Sequence, residues 1–299
     1  MLAPSLSTRA SAIADVVGLV VLVAVSCGIG LGMPHSKRYI FGMDTASSAT
    51  ELMQWNSLYA HPHREEEMPV WLLLCLCAVL LVIVVLTMWA RVSKRATLRV
   101  WLALTVGVVA ALAVNFGATN GVKRAVGRPR PDFLWRCDYD ATTHTCAGDE
   151  KVIEEGYKSF PSGHSSFASV SAMLFSLLMG TLLSKTALRS APMMRALITM
   201  ALPALFALFF VTQRVTSHWH HPSDVIAGAA IGCMSAYAGF LAWRNFCLQW
   251  LPSPAVHALG LHQGKRHHSQ QQVHDVHDPE LAVSYSTDSP ETADPRFMV

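Results

Sequence analysis

The sequence predicts an all-α fold: a six-helix transmembrane bundle with its active site at helix ends on the luminal or extracellular side. Composition gives the first reason. Of 299 residues, 52% are hydrophobic and 14% are charged, against roughly 25% charged in an average soluble domain. The second reason is where the apolar residues lie. They gather in six runs, approximately Ile13–Leu31, Val70–Ala90, Val100–Ala118, Ser165–Leu183, Ala196–Val211 and Val225–Ala242. A helix needs about 20 apolar residues to cross a bilayer core. The third is that three polar stretches able to carry chemistry all fall where these runs begin or end. A net charge of +3, with no basic stripe interleaved with aromatics, gives no reason to expect a nucleic-acid partner.

The elements follow in order. Met1–Ala12 is a short polar start carrying Arg9. The first run has small residues near its end, Ser26 and Gly28, as a signal peptide does. Its apolar part is longer than the 7–15 residues usual there, so it reads as a span. Met33–Met68 is a polar loop with Lys37, Arg38 and the acidic cluster Glu65-Glu66-Glu67. The second run is bracketed by Trp71 and Trp89, as interfacial anchors are. The link after it holds Arg91, Lys94, Arg95 and Arg99, and the link after the fourth run holds Lys185, Arg189 and Arg195, neither with an acidic residue. Short basic links stay in the cytoplasm. Both termini are then cytoplasmic, and the loops Met33–Met68, Thr119–His164 and Thr212–Asp224 face the lumen or the outside.

Thr119–His164 nonetheless carries Lys123, Arg124, Arg128, Arg130, Arg136, Lys151 and Lys158. Cations placed against the topological preference point to a function for some of them. In the sixth run, Gly228, Gly232 and Ala236 recur every fourth residue, a row that lets helices approach closely in lipid. Ser166, Ser169 and Ser171 in the fourth run can pack or hydrogen-bond across helices. After Arg244 the apolar character fades, and His262–Val299 is polar, His-rich and dotted with Pro, the composition of a disordered tail. The expected organisation is a cytoplasmic N-terminus (1–12), a six-span domain (13–243) and a cytoplasmic tail (244–299). Of seven cysteines, Cys27, Cys75, Cys77, Cys233 and Cys247 lie in or beside apolar runs and are expected to be buried or inert. Cys137 and Cys146 share a polar loop, where a disulfide forms if the compartment is oxidising.

Three stretches converge by this topology. The first is Lys123-Arg124-Ala125-Val126-Gly127-Arg128-Pro129-Arg130-Pro131, whose Gly and Pro residues end the third helix. The second, Ser159-Phe160-Pro161-Ser162-Gly163-His164, is a turn opening into the fourth. Unpaired N–H groups and the dipole make such a terminus an anion site, although Ser and Pro are also ordinary at a capped helix start. The third is Arg214, then His220-His221-Pro222-Ser223-Asp224. Lys123, Arg130 and Arg214 offer cations to one pocket, with Arg as the fork-shaped donor that suits phosphate oxygens. A histidine nucleophile needs one free ring nitrogen and a carboxylate on the other. Pro222 suits the first helical position, and Asp224 can reach back from the first turn to His220. His164 can protonate a leaving oxygen and later accept a proton from water. One histidine must start neutral and the other protonated, which implies a bell-shaped pH profile.

These residues, Lys123 with Arg130-Pro131, Pro161-Ser162-Gly163-His164, and Arg214 with His220 and Asp224, resemble the three-part signature of the type 2 phosphatidic acid phosphatase superfamily. Gly127–Phe133 and the pair His220-His221 resemble its eukaryotic lipid phosphate phosphatase branch. The resemblance implies that Lys123, Arg130, Ser162, Gly163 and Arg214 bind phosphate. It implies that His220 becomes phosphohistidine with Asp224 in support, that His164 is the general acid, and that neither metal nor other cofactor is required. Gln213 stands where many members have Ser, and Ser217 where the branch often has Asp. Neither change removes a group that the chemistry needs.

Arg124 and Arg128 are headgroup contacts or pocket residues, Trp219 reads as an interfacial anchor, and His221 as a residue at a helix start. His218, His220 and His221 lack a suitably spaced fourth ligand for zinc. The expected function is hydrolysis of phosphatidate and related lipid phosphate monoesters by a multi-pass membrane enzyme whose partners are the lipid substrate and the bilayer. Rival readings are a lipid pyrophosphate phosphatase, a vanadium haloperoxidase sharing the pocket, and a lipid-phosphate binder or channel. The sequence leaves open the preferred lipid, a homo-oligomer, and the choice among endoplasmic reticulum, Golgi and plasma membrane.

Overall fold

The computed structural model describes residues 6–37, 58–92, 97–140, 142–143 and 145–261, with side chains from residue 14 onward and from residue 98 after the second gap. The long helices are α1 (Leu6–Gly32), α2 (Val70–Arg91), α3 (Thr97–Val126), α6 (Gly163–Leu183), α8 (Leu202–Thr216) and α9 (Pro222–Trp250). Short helices α4 (Phe133–Arg136) and α5 (Glu150–Gly156) lie between α3 and α6, α7 (Pro192–Ala196) precedes α8, and α10 (Ser253–Ala258) follows α9. Among the described residues strand is confined to β1 (Tyr139–Asp140) and β2 (Thr145–Cys146), an antiparallel pair with Tyr139 opposite Cys146. Among the described residues six stretches are long and apolar enough to cross a membrane, the fifth being Pro192–Thr216, which joins α7 to α8.

The third apolar run fades before its helix does, and the helix ends where its Gly and Pro residues predict. α3 does not stop near Ala118 but continues to Val126, so Lys123 and Arg124 occupy its last turn. Asn120, Lys123 and Arg124 lower hydropathy without opposing helical geometry. The break comes at Gly127, whose φ of 57° lies in the left-handed region open to glycine, and Pro129 follows. In the fifth span, Leu197–Ala201 winds as a wider π-helical turn just before Pro203. Proline cannot donate to the preceding turn, and such a turn absorbs the misfit. α9 likewise runs past Ala242 to Trp250, and Leu251, Ala255, Val256, Leu259 and Leu261 are buried against the core. Residues 262–299, which hold the His-rich tail, lie outside the described residues.

α9 is the central post, packed on α3 and α6. A methyl at Gly228 would overlap the Ser162 carbonyl, one at Gly232 the Ser166 carbonyl, and one at Gly239 the Gly107 carbonyl. Such close approach supplies the van der Waals contact that holds helices in lipid, where burial from water offers nothing further. Trp243, Leu178, Leu182, Val84 and Met88 fill the space around the post. Buried hydroxyls join helices as well: Thr119 Oγ1 donates to Ser166 Oγ at 3.1 Å, and Asn115 Nδ2 lies 3.4 Å from the same oxygen. The cysteine expectation needs correction. Cys247 is buried, but Cys27, Cys75 and Cys233 are exposed, because part of a membrane helix's apolar surface faces lipid rather than protein.

The polar stretch from α4 to α5 caps one end of the bundle. Phe133 is fully buried against Tyr157, and Cys137 and Cys146 are joined by a disulfide. Asp149 caps α5, accepting from the backbone N–H groups of Lys151 and Val152.

Candidate active site

The third stretch is shaped by two helix ends. α8 stops at Thr216, where Ser217 Oγ donates back to the Gln213 carbonyl at 2.8 Å. His218 takes a positive φ of 58° and turns the chain. α9 then starts at Pro222, whose missing N–H costs nothing in a first turn. Asp224, fully buried in that turn, is held on both oxygens. Oδ1 accepts from Arg128 Nη1 at 2.7 Å, and Oδ2 accepts from Ser159 Oγ at 2.5 Å and from the His221 backbone N–H at 3.0 Å. His220 Nδ1 stands 3.7 Å from Oδ2, within ion-pair range but long for a hydrogen bond, and has no hydrogen-bond partner among the described residues. Asp224 therefore reaches back with its short bond to the backbone of His221, with the His220 ring just beyond. Burial holds the His220 imidazole far below its ordinary 6.5, to about 3; Asp224 opposes this, while Arg130 and Lys123 add to it. Burial thus favours the neutral ring, in which a proton on Nδ1 leaves Nε2 a lone pair.

The second stretch forms a capped helix start. Ser162 is the N-cap of α6: its Oγ accepts from the Ser165 N–H at 3.4 Å and from Ser165 Oγ at 3.1 Å. Its own N–H donates to the Asp224 carbonyl at 2.9 Å, tying the second stretch to the third. The hydroxyl expected to bind phosphate is thus engaged as a cap. Gly163 is different: a Cβ there would meet nothing within 4 Å, so its backbone borders open space. His164 Nε2 lies 3.0 Å from the Met68 carbonyl.

From the first stretch, Arg130 is 7% exposed and points toward the turn that bears His220. Its Nη1 is 3.4 Å from the Trp219 carbonyl, and its Nε donates to the Glu155 carbonyl at 3.0 Å. Burial, with Arg136 nearby, lowers its pKa to about 10, so it stays charged at neutral pH. Lys123 Nζ donates to the Lys158 carbonyl at 2.8 Å. Lys123 and Arg130 also line a cavity of about 290 Å³ with His35, Asn120, Arg124, Glu155 and Lys158. Arg128 belongs to the pocket through Asp224, whereas Arg124 Nη1 donates to the Met33 carbonyl. Trp219, expected as an interfacial anchor, is a platform for cations. The guanidiniums of Arg130, Arg136 and Arg214 lie 5.0, 4.9 and 5.6 Å from its ring. Trp219 precedes the His220 turn, and the segment 58–69 covers it.

That segment is the part the sequence reading missed. His61 stacks on His218 at 4.4 Å, His63 Nδ1 lies 2.8 Å from Asp132 Oδ2, and Trp219 Nε1 donates to the Arg64 carbonyl. Arg214, 1% exposed, donates through Nη1 to Glu66 Oε1 at 3.0 Å, through Nη2 to the Met68 carbonyl at 2.9 Å, and through Nε to Gln213 Oε1 at 2.7 Å. The strap thus bonds to all three stretches. The signal was present: Glu65-Glu66-Glu67 sits in a loop that topology put on the side of the cations. The structure brings His220, Asp224, Arg128 and Arg130 around one turn. It links His164 to Arg214 through the Met68 carbonyl, which both contact.

Comparison with known proteins places relatives beside this chain. The family described as the PAP2 superfamily matches residues 100–247, which include all three stretches. The chain is 32% identical over 248 residues to lipid phosphate phosphatase 1 of Arabidopsis thaliana, covering 80% of this chain and 68% of that one. It is 35% identical over 157 residues to lipid phosphate phosphatase 2 of the same plant, spanning 50% of this chain and 51% of that protein. It is 33% identical over 131 residues to diacylglycerol pyrophosphate phosphatase 1 of Saccharomyces cerevisiae, at 40% and 44% coverage.

Proposed function

The chain belongs to the PAP2 superfamily, and from that premise we propose that it is a multi-pass membrane phosphatase that hydrolyses lipid phosphate monoesters, phosphatidate among them, through a phosphohistidine. The activity class follows from membership. The route is supported by one observation above the others. A buried His220 lies beside the carboxylate of Asp224, on the turn where Arg130 meets Trp219.

In this route the lone pair of His220 Nε2 attacks phosphorus and the bond from phosphorus to the ester oxygen breaks. That oxygen takes a proton from His164 and leaves as the alcohol of diacylglycerol. Asp224 stabilises the imidazolium that develops. Water then attacks phosphorus and gives a proton to His164 while the phosphorus–nitrogen bond breaks and its electron pair returns to Nε2, which releases phosphate and restores both rings. Charge on the equatorial oxygens is met by Arg130, Arg214 and Lys123 and by the backbone at Gly163. Ser162 Oγ accepts at that helix start, which leaves its O–H to donate to a phosphate oxygen as well. The lipid tails stay in the bilayer while the head reaches the helix ends. We place this end on the luminal or extracellular side, because the basic links beginning at Arg91 and holding Arg189 lie at the opposite helix ends.

Purified protein in mixed micelles, given phosphatidate with a chelator present, should release phosphate. His220→Ala should lose at least about a thousandfold in kcat. Rapid quenching with labelled substrate should leave label that is acid-labile and alkali-stable, as a phosphoramidate is. Full activity in His220→Ala would remove the nucleophile from this reading. Similarity to a protein named for diacylglycerol pyrophosphate supports a second reading, in which the same pocket cleaves lipid pyrophosphates.

A further inference from the structure

The route above gives no part to a carboxylate that touches two of its groups. Glu66 Oε1 is 3.0 Å from Arg214 Nη1 and 3.5 Å from His164 Nε2. Met68, two residues on, offers its carbonyl to the same two side chains. The Glu66 side chain is 32% exposed, which places it at the mouth of the pocket rather than its floor. Glu67 Oε2 accepts from Gln213 Nε2 at 3.3 Å, and Gln213 Oε1 accepts from Arg214 Nε. The acidic edge of the strap is thereby fastened to the back of Arg214 as well as to its front.

Displacement at phosphorus keeps the attacking and leaving atoms roughly in line. With His220 on one side, the leaving oxygen lies on the side of His164, and a group touching His164 faces whatever that oxygen carries. We infer that Glu66 is a specificity-determining residue that reads the charge of the leaving group. This rests on the proposed function and refines it.

An alcohol leaving group departs neutral once it has taken the proton from His164. The leaving group of a lipid pyrophosphate is itself a phosphate ester and departs with negative charge. Like charges brought together at a partly closed site are unfavourable and suppress the wrong partner. Glu66 therefore tilts this pocket toward monoesters.

The test compares the full chain with Glu66→Gln, Glu66→Asp and Glu67→Gln, using phosphatidate and diacylglycerol pyrophosphate with the same acyl chains. Glu66→Gln should raise the ratio of kcat/KM for pyrophosphate over monoester about tenfold, the scale of one modest charge contact. Glu66→Asp, which keeps the charge, should change the ratio less, and Glu67→Gln should leave it unchanged. An unchanged ratio in Glu66→Gln, or the same rise in Glu67→Gln, would overturn the inference. So would an equal gain on both substrates, which would make Glu66 a plain competitor for the anion site. Wild-type protein gives an independent reading should a variant not fold: inorganic pyrophosphate should inhibit no more tightly than orthophosphate, and much tighter inhibition would overturn the inference. Wild-type turnover with no change of ratio in Glu66→Gln counts against Glu66 alone. No wild-type turnover of any lipid phosphate counts against the proposed function as well.

Discussion

Arg128 Nη1 lies 2.7 Å from Asp224 Oδ1 and 2.6 Å from Ser223 Oγ, an ion pair that bolts the loop after α3 to the first turn of α9. Asp224 is fully buried while the Arg128 side chain keeps 24% exposure. The pair thus has one dry end and one wet end, and its main consequence is to keep the carboxylate aimed beneath His220.

Removing Arg128 should therefore cost both stability and turnover. Losing one partner of a buried pair costs about 3–5 kcal/mol, and the exposure of Arg128 puts this case at or below the lower end of that range. Arg128→Ala should lower the melting temperature in detergent and reduce kcat by tenfold or more. Arg128→Lys should recover part of the stability, since charge returns without the planar fork. A kcat equal to wild type in Arg128→Ala would show that Asp224 holds its place without it.

The pH dependence of stability has a definite sign. Folded His220 resists protonation down to about 3, whereas an unfolded histidine titrates near 6.5. Between those values the unfolded chain binds a proton that the folded chain refuses. Stability is thus fully present above about pH 6.5 and falls as pH drops through that window, by at most about 1.4 kcal/mol per unit. Burial lowers His221 in the same direction. Melting temperatures measured from pH 5 to 8 should decline on the acid side, and His220→Gln should flatten the slope. A neutral His220 also means that the acid limb of a bell-shaped rate profile near neutrality belongs to another group.

The disulfide gives a third expectation. Cys137 and Cys146 close a short loop, nine residues apart in sequence, beside α4. In the chain-entropy account such a closure is worth about 2–3 kcal/mol. Cys137→Ser with Cys146→Ser should lower the melting temperature, and a thiol reductant should shift wild-type protein in the same direction while leaving the double variant unmoved. The hairpin sits against Phe133, which follows Pro131 and Asp132, so a smaller loss of kcat should accompany the loss of stability.

What the chain revealed in advance, and what it did not, divides along physical lines. Six spans were legible because a bilayer imposes a length and a composition that no loop imitates. His220, His164, Arg130 and Arg214 were legible because fixed spacing beside helix ends limits where they can point. Hydropathy missed the true end of α3, since Lys123 and Arg124 are polar yet good helix formers. The cation contacts of Trp219 were not legible, because nothing local reports three arginines arriving from the loop after α3, from α4 and from α8. The contacts of Glu66 could not be read at all. They depend on a segment that crosses the site far from it in sequence, and only packing decides which carboxylate of Glu65-Glu66-Glu67 turns inward.

Gly228 carries the last prediction, because it joins packing to chemistry most directly. It faces the Ser162 carbonyl, and the Ser162 N–H in turn holds the Asp224 carbonyl. A methyl there has backbone rather than a flexible side chain in its way, so α6 and α9 must part. Overpacking of this kind costs about 1–3 kcal/mol. In this place it also moves His164 and Gly163 away from His220 and Asp224. Gly228→Ala should therefore lose kcat well beyond what its loss of stability explains, with a smaller change in KM. Gly239→Ala overlaps the Gly107 carbonyl deeper in the bundle and makes the control. It should cost comparable stability and leave kcat close to wild type in the fraction that stays folded. Equal losses of kcat in the two variants would mean that the α6–α9 contact beneath the site holds the bundle together without setting the spacing of the two histidines.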